Sequence, residues 1–163
     1  MAVDHRELRR CLGRFATGVA VVSWASEEGP RGITVNSFTS VSLQPPLVLV
    51  SIARSARAHD ALRDQPFVVN VLSAEQVALA WQFAGRPQGV AVSWEQNAIG
   101  PTLPGALAVI GCRPWRSVEA GDHTLYLGEV VDFSYRVGDG LGFFSGEMVV
   151  VPRPGSAFQW ACS

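Results

Sequence analysis

Short hydroxyl side chains are concentrated in one segment of the chain, Gly32–Ser42. Its first half alternates apolar and polar residues, which predicts a strand with one polar face. Beyond Asn36 the alternation ends and hydroxyls follow at Ser37, Thr39, Ser40 and Ser42. Many small donors and acceptors suit a heteroaromatic ring with a carbonyl–imide edge and a polyol chain. A solvated edge strand with a Ser/Thr-rich turn explains the same composition, and composition alone favours that alternative.

Two arginines lie in the segment Ala53–His59, which directly follows a short apolar run. Ser55 is expected to cap a short helix over residues 56–63. Helix N-termini attract anions, and arginine can bind a phosphate through two parallel hydrogen bonds. The pattern therefore predicts a phosphate clamp at Arg54 and Arg57. An ordinary serine cap beside two solvated arginines is an equally good interpretation.

A single histidine, His123, lies in the segment Ala120–Thr124 at the start of a predicted strand. It could act as a general acid or base, as a ligand, or as a ring packed on a planar substrate. From the sequence pattern alone, a structural role in the turn is the favoured alternative. No second histidine or carboxylate stands at metal-ligand spacing, so no metal site is predicted.

Composition restricts the classes of protein to consider. The 163 residues are 48% hydrophobic and 17% charged, and the net charge is −1. This balance predicts one globular domain over 1–163 and disfavours nucleic acid or an anionic membrane as partner. So few charges are typical of chains that bury apolar surface in an oligomer. Cys11, Cys112 and Cys162 form no C-x-x-C motif, and the first ten residues lack an apolar signal core, so a reducing cytoplasm is expected.

The elements that must position these residues are mostly strands. Helices are predicted over 4–15, where Asp4 and Glu7 resemble a capping box, and from Ser73 to Ala84. Residues 85–105 are predicted to be irregular, and Ser26–Arg31 and Val137–Gly140 to be turns. The predicted strands are Val19–Ala25, Gly32–Phe38, Leu47–Ile52, Phe67–Leu72, Ala106–Val118, Thr124–Tyr135 and one or two within Phe143–Val151. The apolar run Leu47–Ile52 is typical of a strand buried on both faces. The absence of an alternating βαβ rhythm predicts a mainly β, closed antiparallel barrel with a few short helices.

Taken in order, four blocks resemble the short-chain flavin reductase family. They are G-I-T-V-N-S-F-T-S-V-S-L-Q-P-P-L-V-L-V-S-I, R-S-A-R, F-V-V-N-V-L and A-G-D-H-T-L-Y-L-G-E-V, and the similarity runs from about Leu8 to Phe144. The family comprises reductase components of two-component flavin-dependent monooxygenases. The resemblance implies the FMN-binding split-barrel fold, a homodimer, FMN or FAD as flavin, and NADH, or else NADPH, as hydride donor. It also implies a separate monooxygenase that receives the reduced flavin.

The resemblance further implies roles for particular residues. The flavin ring and ribityl chain would contact Thr34, Val35, Asn36, Ser37, Ser40, Val41 and Ser42. The flavin phosphate would contact Ala53, Arg54, Ser55, Arg57 and His59. The outer part of the cofactor would contact Phe83 and Arg86. The nicotinamide, with His123 as the catalytic residue, would contact His123, Phe143, Phe144, Ser145 and Gly146.

Two departures from the family pattern matter. The segment Phe144–Met148 carries Glu147 where the family often has a basic residue, which predicts a preference for NADH because a carboxylate repels the 2′-phosphate of NADPH. The stretch between Ala84 and Val90 is short, which puts the role of Arg86 in question. An oxidase or a redox-sensing flavin-binding module of the same fold is the alternative function, and a protein that binds no flavin is a third.

Overall fold

The computed structural model describes residues 2–155, which are mainly β with two short α-helices. The helices are α1 (His5–Leu12) and α2 (Val77–Phe83), the latter preceded by a 3-10 turn at Ala74–Gln76. Twelve strands follow in chain order within this part: β1 (Thr17–Gly18), β2 (Ala20–Ser26), β3 (Gly29–Val35), β4 (Thr39–Leu43), β5 (Pro46–Ala53), β6 (Phe67–Val71), β7 (Glu95–Gln96), β8 (Pro101–Thr102), β9 (Ala108–Ala120), β10 (His123–Tyr135), β11 (Gly140–Phe144) and β12 (Glu147–Val151).

Seven strands form one antiparallel sheet in the order β3-β2-β6-β9-β10-β5-β4. Burial alternates along β5, where Val48, Val50 and Ile52 are buried and their neighbours are only half-buried, whereas most of β2 and β6 is buried at consecutive positions. The apolar run of β5 was expected to be buried on both faces, but one face is partly open. Tyr126 of β10 and Phe67 of β6 complete the same core cluster.

A second sheet, β1-β11-β12, is attached to the first by backbone hydrogen bonds around Val19. Val19 N donates to Leu141 O at 3.2 Å, and Leu72 N donates to Val19 O at 3.0 Å. Val19, Leu72 and Leu141 are all buried, and they belong to a second core cluster that also packs on α2. The strand register of the described residues leaves β3 and β4 as edges, so closure of the barrel stays a prediction.

The prediction of a helix over residues 56–63 is wrong. The chain from β5 to β6 makes successive turns, with Ala56 N bonded to Ala53 O at 2.9 Å and His59 N to Ala56 O at 3.0 Å. The Tyr126 hydroxyl donates to the His59 carbonyl, which a continuous helix would use for its own ladder. Tertiary contacts therefore override the helix propensity of this alanine-rich segment. The expected helix N-terminus is absent here, and the phosphate clamp loses that part of its argument.

The other elements agree with the sequence pattern in part. The short strands β7 and β8 lie in the stretch 85–105 that was predicted to be irregular, and β3 ends at Val35 rather than at Phe38. Asp4 caps α1 by accepting from Arg6 N at 2.8 Å and Glu7 N at 3.2 Å, although the helix ends at Leu12 rather than at residue 15. The hydroxyl-rich segment contributes an edge strand, β4, as the simpler interpretation of its composition had indicated. Neither helix of residues 2–155 is long and apolar enough to cross a membrane. Cys162 lies outside the described residues.

Candidate functional site

A recess of about 220 Å³ lies where the end of β3 faces the end of β5. It is lined by Ile33, Thr34, Val35, Asn36, Ser37, Ser51, Ile52, Ala53 and His123. Four of the residues assigned to the flavin ring by resemblance, one from the phosphate set and the candidate catalytic histidine therefore share one cavity. The antiparallel pairing of His123 with Ala53 explains this, because it brings the start of β10 to the end of β5.

Hydroxyl groups hold the walls of the recess together. Ser37 Oγ accepts from Ser51 N at 2.9 Å and donates to Ser51 O at 3.1 Å, which fastens the chain after β3 to β5. Thr34 Oγ1 donates to Ala80 O of α2 at 2.7 Å. Each hydroxyl oxygen has further acceptor capacity beyond these bonds, so the site is both fixed in shape and able to accept hydrogen bonds from a ligand.

A larger cleft of about 900 Å³ lies beside the recess, and Ile33 and Thr34 line both cavities. Its lining comes from the β2–β3 hairpin, the turns after β5 and the end of α2. The lining residues are Trp24, Ser26, Glu27, Glu28, Arg31, Gly32, Ile33, Thr34, Arg57, Ala58, Ala61, Phe83, Ala84 and Gly85. Arg57 and Phe83 of the predicted site are therefore in the cleft. A small recess beside a larger cleft that carries charged side chains fits a flat ring followed by a phosphate-bearing chain.

Gly32 is required where α2 meets β3. A Cβ at Gly32 would lie 2.9 Å from Val21 Cγ1 and 3.1 Å from two ring atoms of Phe83. The missing side chain thus lets the Phe83 ring lie directly against the strand, where it forms part of the cleft wall. Phe83 is held from the other side by Trp94, whose ring centroid is 5.5 Å away in an edge-to-face arrangement.

The residues predicted to bind the flavin phosphate lie in different surroundings. Arg57 is exposed and lines the cleft. His59 is half-buried, and its Nε2 forms a 2.8 Å hydrogen bond with the hydroxyl of Thr124, while Nδ1 lies 3.2 Å from Asp60 Oδ1. The backbone N–H of Arg54 donates to Asp122 O at 2.9 Å, so Arg54 follows the end of the sheet. His59 therefore fastens the turn segment to β10.

His123 is paired with the carboxylate that precedes it. His123 Nδ1 lies 2.7 Å from Asp122 Oδ1, and the His123 side chain is 44% exposed. This hydrogen bond and the charge of His123 hold the pKa of Asp122 below its usual value of 3.8. The contact occupies Nδ1, which leaves Nε2 as the ring atom available for a bound molecule.

Several residues of the predicted site lie outside both cavities. Ser40 and Ser42 line a third, apolar groove beside β4, and Val41 lies between them at a bulge. Arg86 stacks over the ring of Trp81 at 4.5 Å. The segment Phe143–Gly146 comprises the end of β11 and the turn into β12, where Ser145 N donates to Gly13 O at 2.9 Å. Within residues 2–155 the structure does not bring this turn into the recess with His123.

The sequence matches the flavin reductase like domain over residues 12–151. The chain belongs to this family. The FMN reductase (NADH) SmoA of Agrobacterium fabrum is 46% identical over 146 residues, which are 88% of this chain and 84% of that protein. An NADH-dependent FAD reductase of Streptomyces globisporus is 46% identical over 137 residues, 78% of this chain and 75% of that protein.

Solved structures give the same result. The structure of the flavin reductase PheA2 superposes on this chain with a TM-score of 0.88. The two sequences are 40% identical, and the match covers 93% of this chain and 100% of the PheA2 chain. Other relatives carry the names of reductase components of monooxygenases. These comparisons confirm the resemblance and the predicted activity: the chain is an NADH-dependent flavin reductase.

Sequence reasoning missed several residues that line the two cavities of this flavin reductase. Ser51 and Ile52 line the recess from the end of β5, a run that the sequence predicted to be buried on both faces. Trp24 and Arg31 line the cleft from the β2–β3 hairpin, where the sequence predicted a strand and a turn with no part in the site. Their pairing with one another, Trp24 opposite Arg31, is a property of register that becomes visible only once the hairpin is formed.

Proposed function

We propose that this flavin reductase binds FMN or FAD with the ring in the recess and the phosphate near Arg57, and releases the reduced flavin to a separate monooxygenase. The observation that carries the proposal is that the recess and the cleft are neighbours, with Ile33 and Thr34 lining both. Bound flavin and nicotinamide supply the hydride transfer between themselves. The chain supplies position, hydrogen bonds and exclusion of water.

The residues of the recess fit a flavin ring. Val35, Ile52 and Ala53 provide apolar surface for its faces, while Asn36 and Ser37 provide polar groups for a carbonyl–imide edge. Arg57 and the turns after β5 would bind the first phosphate. Thr34, Arg54, Ser55 and His59 remain proposed contacts or supports around the ribityl chain and that phosphate. Ser40, Val41, Ser42 and Arg86 receive no support from the geometry of a single chain.

His123 would orient the nicotinamide over the ring. It lines the recess and is held by Asp122, so its ring forms a fixed wall beside the place where hydride is exchanged. Holding two rings at reacting distance contributes to rate without a proton being moved by the protein. The nicotinamide remains the proposed ligand of Phe143, Phe144, Ser145 and Gly146.

NADH is the expected donor, and Glu147 gives a reason. Its carboxylate is exposed at the start of β12, directly after the β11–β12 turn. A 2′-phosphate bound nearby would be repelled. We expect kcat/KM for NADPH to be about tenfold or more below that for NADH. In steady-state assays, Glu147→Gln should reduce the ratio of kcat/KM for NADH to kcat/KM for NADPH. Equal kcat/KM for the two nucleotides in the parent protein contradicts this role.

We further propose a closed split barrel that works as a homodimer in the cytoplasm. The reciprocal hydrogen bonds between Ser37 and Ser51 support closure, since they join the chain beyond edge strand β3 to β5.

A groove of about 400 Å³ between β4, β5 and β10 supports the dimer, because it is lined mainly by apolar side chains and rimmed by exposed aromatic rings. The free thiols of Cys11 and Cys112 suit a reducing compartment.

Anaerobic turnover with excess flavin tests the release step. The protein is mixed with NADH and a large molar excess of free FMN, and flavin bleaching is followed. A reductase that releases its product bleaches all the flavin. An oxidase or redox-sensing module that retains its flavin, the alternative function, bleaches about one flavin per subunit and then stops.

A further inference from the structure

The β11–β12 turn has an uncommon backbone. Phe144 is paired with Glu147, so Ser145 and Gly146 alone form the loop, and their φ angles are both positive, 50° and 86°. Within residues 2–155, Ser145 is the sole non-glycine residue with a positive φ. A loop of this kind favours asparagine, aspartate or glycine at its first position, because most side chains disfavour the left-handed region. A serine held there therefore needs support from outside the hairpin.

That support comes from the chain directly after α1. Ser145 N donates to Gly13 O at 2.9 Å, and Arg14 Nη1 donates to Ser145 Oγ at 3.3 Å. The two backbones approach closely, since a Cβ at Gly13 would lie 3.6 Å from Ser145 Cα. Both the main chain and the side chain of Ser145 are thus held, and we call Gly13, Arg14 and Ser145 the α1 clamp.

The core does not hold α1 in place. None of the residues of α1 is buried, and Leu8 and Leu12 are exposed. Because the stability of a helix in a protein comes mostly from packing an apolar face, so exposed a helix contributes little to the fold. Orientation of the turn explains the clamp better than stabilisation of the core does.

The other end of α1 lies near the turn that carries His123. His5 is the first residue of α1, and its charge contributes to the lowered pKa of Asp122, the partner of His123. The eight residues of the helix span about 12 Å. The two parts of the proposed nicotinamide site, His123 and the β11–β12 turn, are therefore separated by about the length of α1. A dinucleotide is long enough to contact both, whereas a nicotinamide ring alone is not.

We propose that the α1 clamp holds the β11–β12 turn in the conformation that binds NADH, and that Arg14 is a positioning residue for this hydride donor. The inference rests on the proposed function, because the turn must contact the nicotinamide nucleotide. Arg14 acts through Ser145, since it orders the turn before NADH arrives and so spares the cost of ordering it on binding. Loss of the clamp weakens the binding of NADH and leaves the rate at saturation nearly unchanged.

Arg14→Ala tests the clamp in steady-state assays. KM for NADH is expected to rise about fivefold, as the loss of one hydrogen bond implies, while kcat and KM for FMN stay within about twofold of the parent. Arg14→Lys keeps a donor for Ser145 Oγ and should restore most of the NADH affinity. Arg10→Ala is the matched control, because it removes an exposed arginine of α1 that pairs with Glu7, and it should change neither KM.

Ser145→Ala tests the same contact from its other side. The variant removes the oxygen that accepts from Arg14, so KM for NADH should rise to a similar extent. The double variant Arg14→Ala/Ser145→Ala should show no further rise, because the two changes break one contact and their effects are not additive.

The outcomes separate the clamp from the function beneath it. An unchanged KM for NADH in Arg14→Ala overturns the clamp. Additive effects in the double variant also overturn it, since the two residues would then act separately. An equal rise in KM for FMN and NADH, with a lower melting temperature, shows a merely structural role and overturns it too. Failure of the parent protein to oxidise NADH with either flavin refutes the proposed function instead.

Discussion

At the scale of single residues, the pair Asp122–His123 is the best defined polar contact of the recess. The 2.7 Å hydrogen bond fixes the imidazole, and it lowers the pKa of Asp122. Asp122 is fully exposed, so solvent screens the pair and its main effect is on orientation. Any contribution of Asp122 to stability is present above pH 3.8 and is lost as pH falls through the lower pKa of the folded protein.

His123→Ala tests both parts of this description. The variant removes the hydrogen bond, so the pKa of Asp122 should return to its ordinary value in a carboxyl NMR titration. Steady-state kcat/KM for NADH should fall about tenfold rather than disappear, because the cofactors carry the chemistry. An unchanged rate and an unchanged NADH affinity would refute the proposed role of His123.

Cys112 gives a second residue-scale prediction. Burial raises the pKa of this thiol from 9.0 to about 12. In a Cys11→Ser/Cys162→Ser background, a thiol reagent at pH 8 should react only after a denaturant is added. Because the folded pKa is raised, its stabilising contribution is complete below pH 9 and declines as pH rises toward 12. Rapid labelling of the native double variant would contradict the burial.

At the scale of elements, the turn segment between β5 and β6 depends on β10 for its conformation. Thr124, fully buried on β10, is hydrogen-bonded to His59 at 2.8 Å, and Tyr126 donates to the His59 carbonyl. The segment carries Arg57 into the cleft, so these contacts connect a core strand to the proposed phosphate site. Sequence propensity predicted a helix here because it contains no information on such distant partners.

Thr124→Val tests the connection. Loss of the hydroxyl leaves the His59 ring without its partner and should cost about 1–3 kcal/mol in the free energy of unfolding. If the segment positions Arg57, KM for FMN should rise as well, while KM for riboflavin, which has no phosphate, changes little. Thr124→Ser keeps the hydroxyl and should retain most of the FMN affinity. Equal FMN affinity in both variants would contradict the connection.

At the scale of the whole molecule, the sequence predicted the long strands and the composition of the site better than its geometry. The β9 and β10 strands were predicted to within two residues, because their apolar runs are long and separated by a Gly-Asp turn. The meeting of Asn36, Ala53 and His123 in one recess came only from the resemblance, since strand register is not encoded locally. Arg31 was missed for the same reason.

The apolar groove beside β4 gives a prediction about assembly. Phe133 and Tyr135 are 66% and 80% exposed at its rim, and Leu43 is 86% exposed. A two-fold dimer through this face would bury them. Phe133→Asp with Tyr135→Arg should convert a dimer to a monomer in sedimentation velocity, whereas Trp115→Ser, half-exposed and outside the groove, should not. A parent protein that sediments as a monomer contradicts the dimer.

The most direct test of the central claim is the initial rate of NADH oxidation with riboflavin, FMN and FAD supplied in turn as free flavins. The proposed site predicts many turnovers per subunit with all three. It also predicts a lower kcat/KM for riboflavin than for FMN, by about tenfold, because riboflavin lacks the phosphate that Arg57 would bind. No oxidation of NADH with any flavin would contradict the function, and equal kcat/KM for riboflavin and FMN would contradict the phosphate site in the cleft.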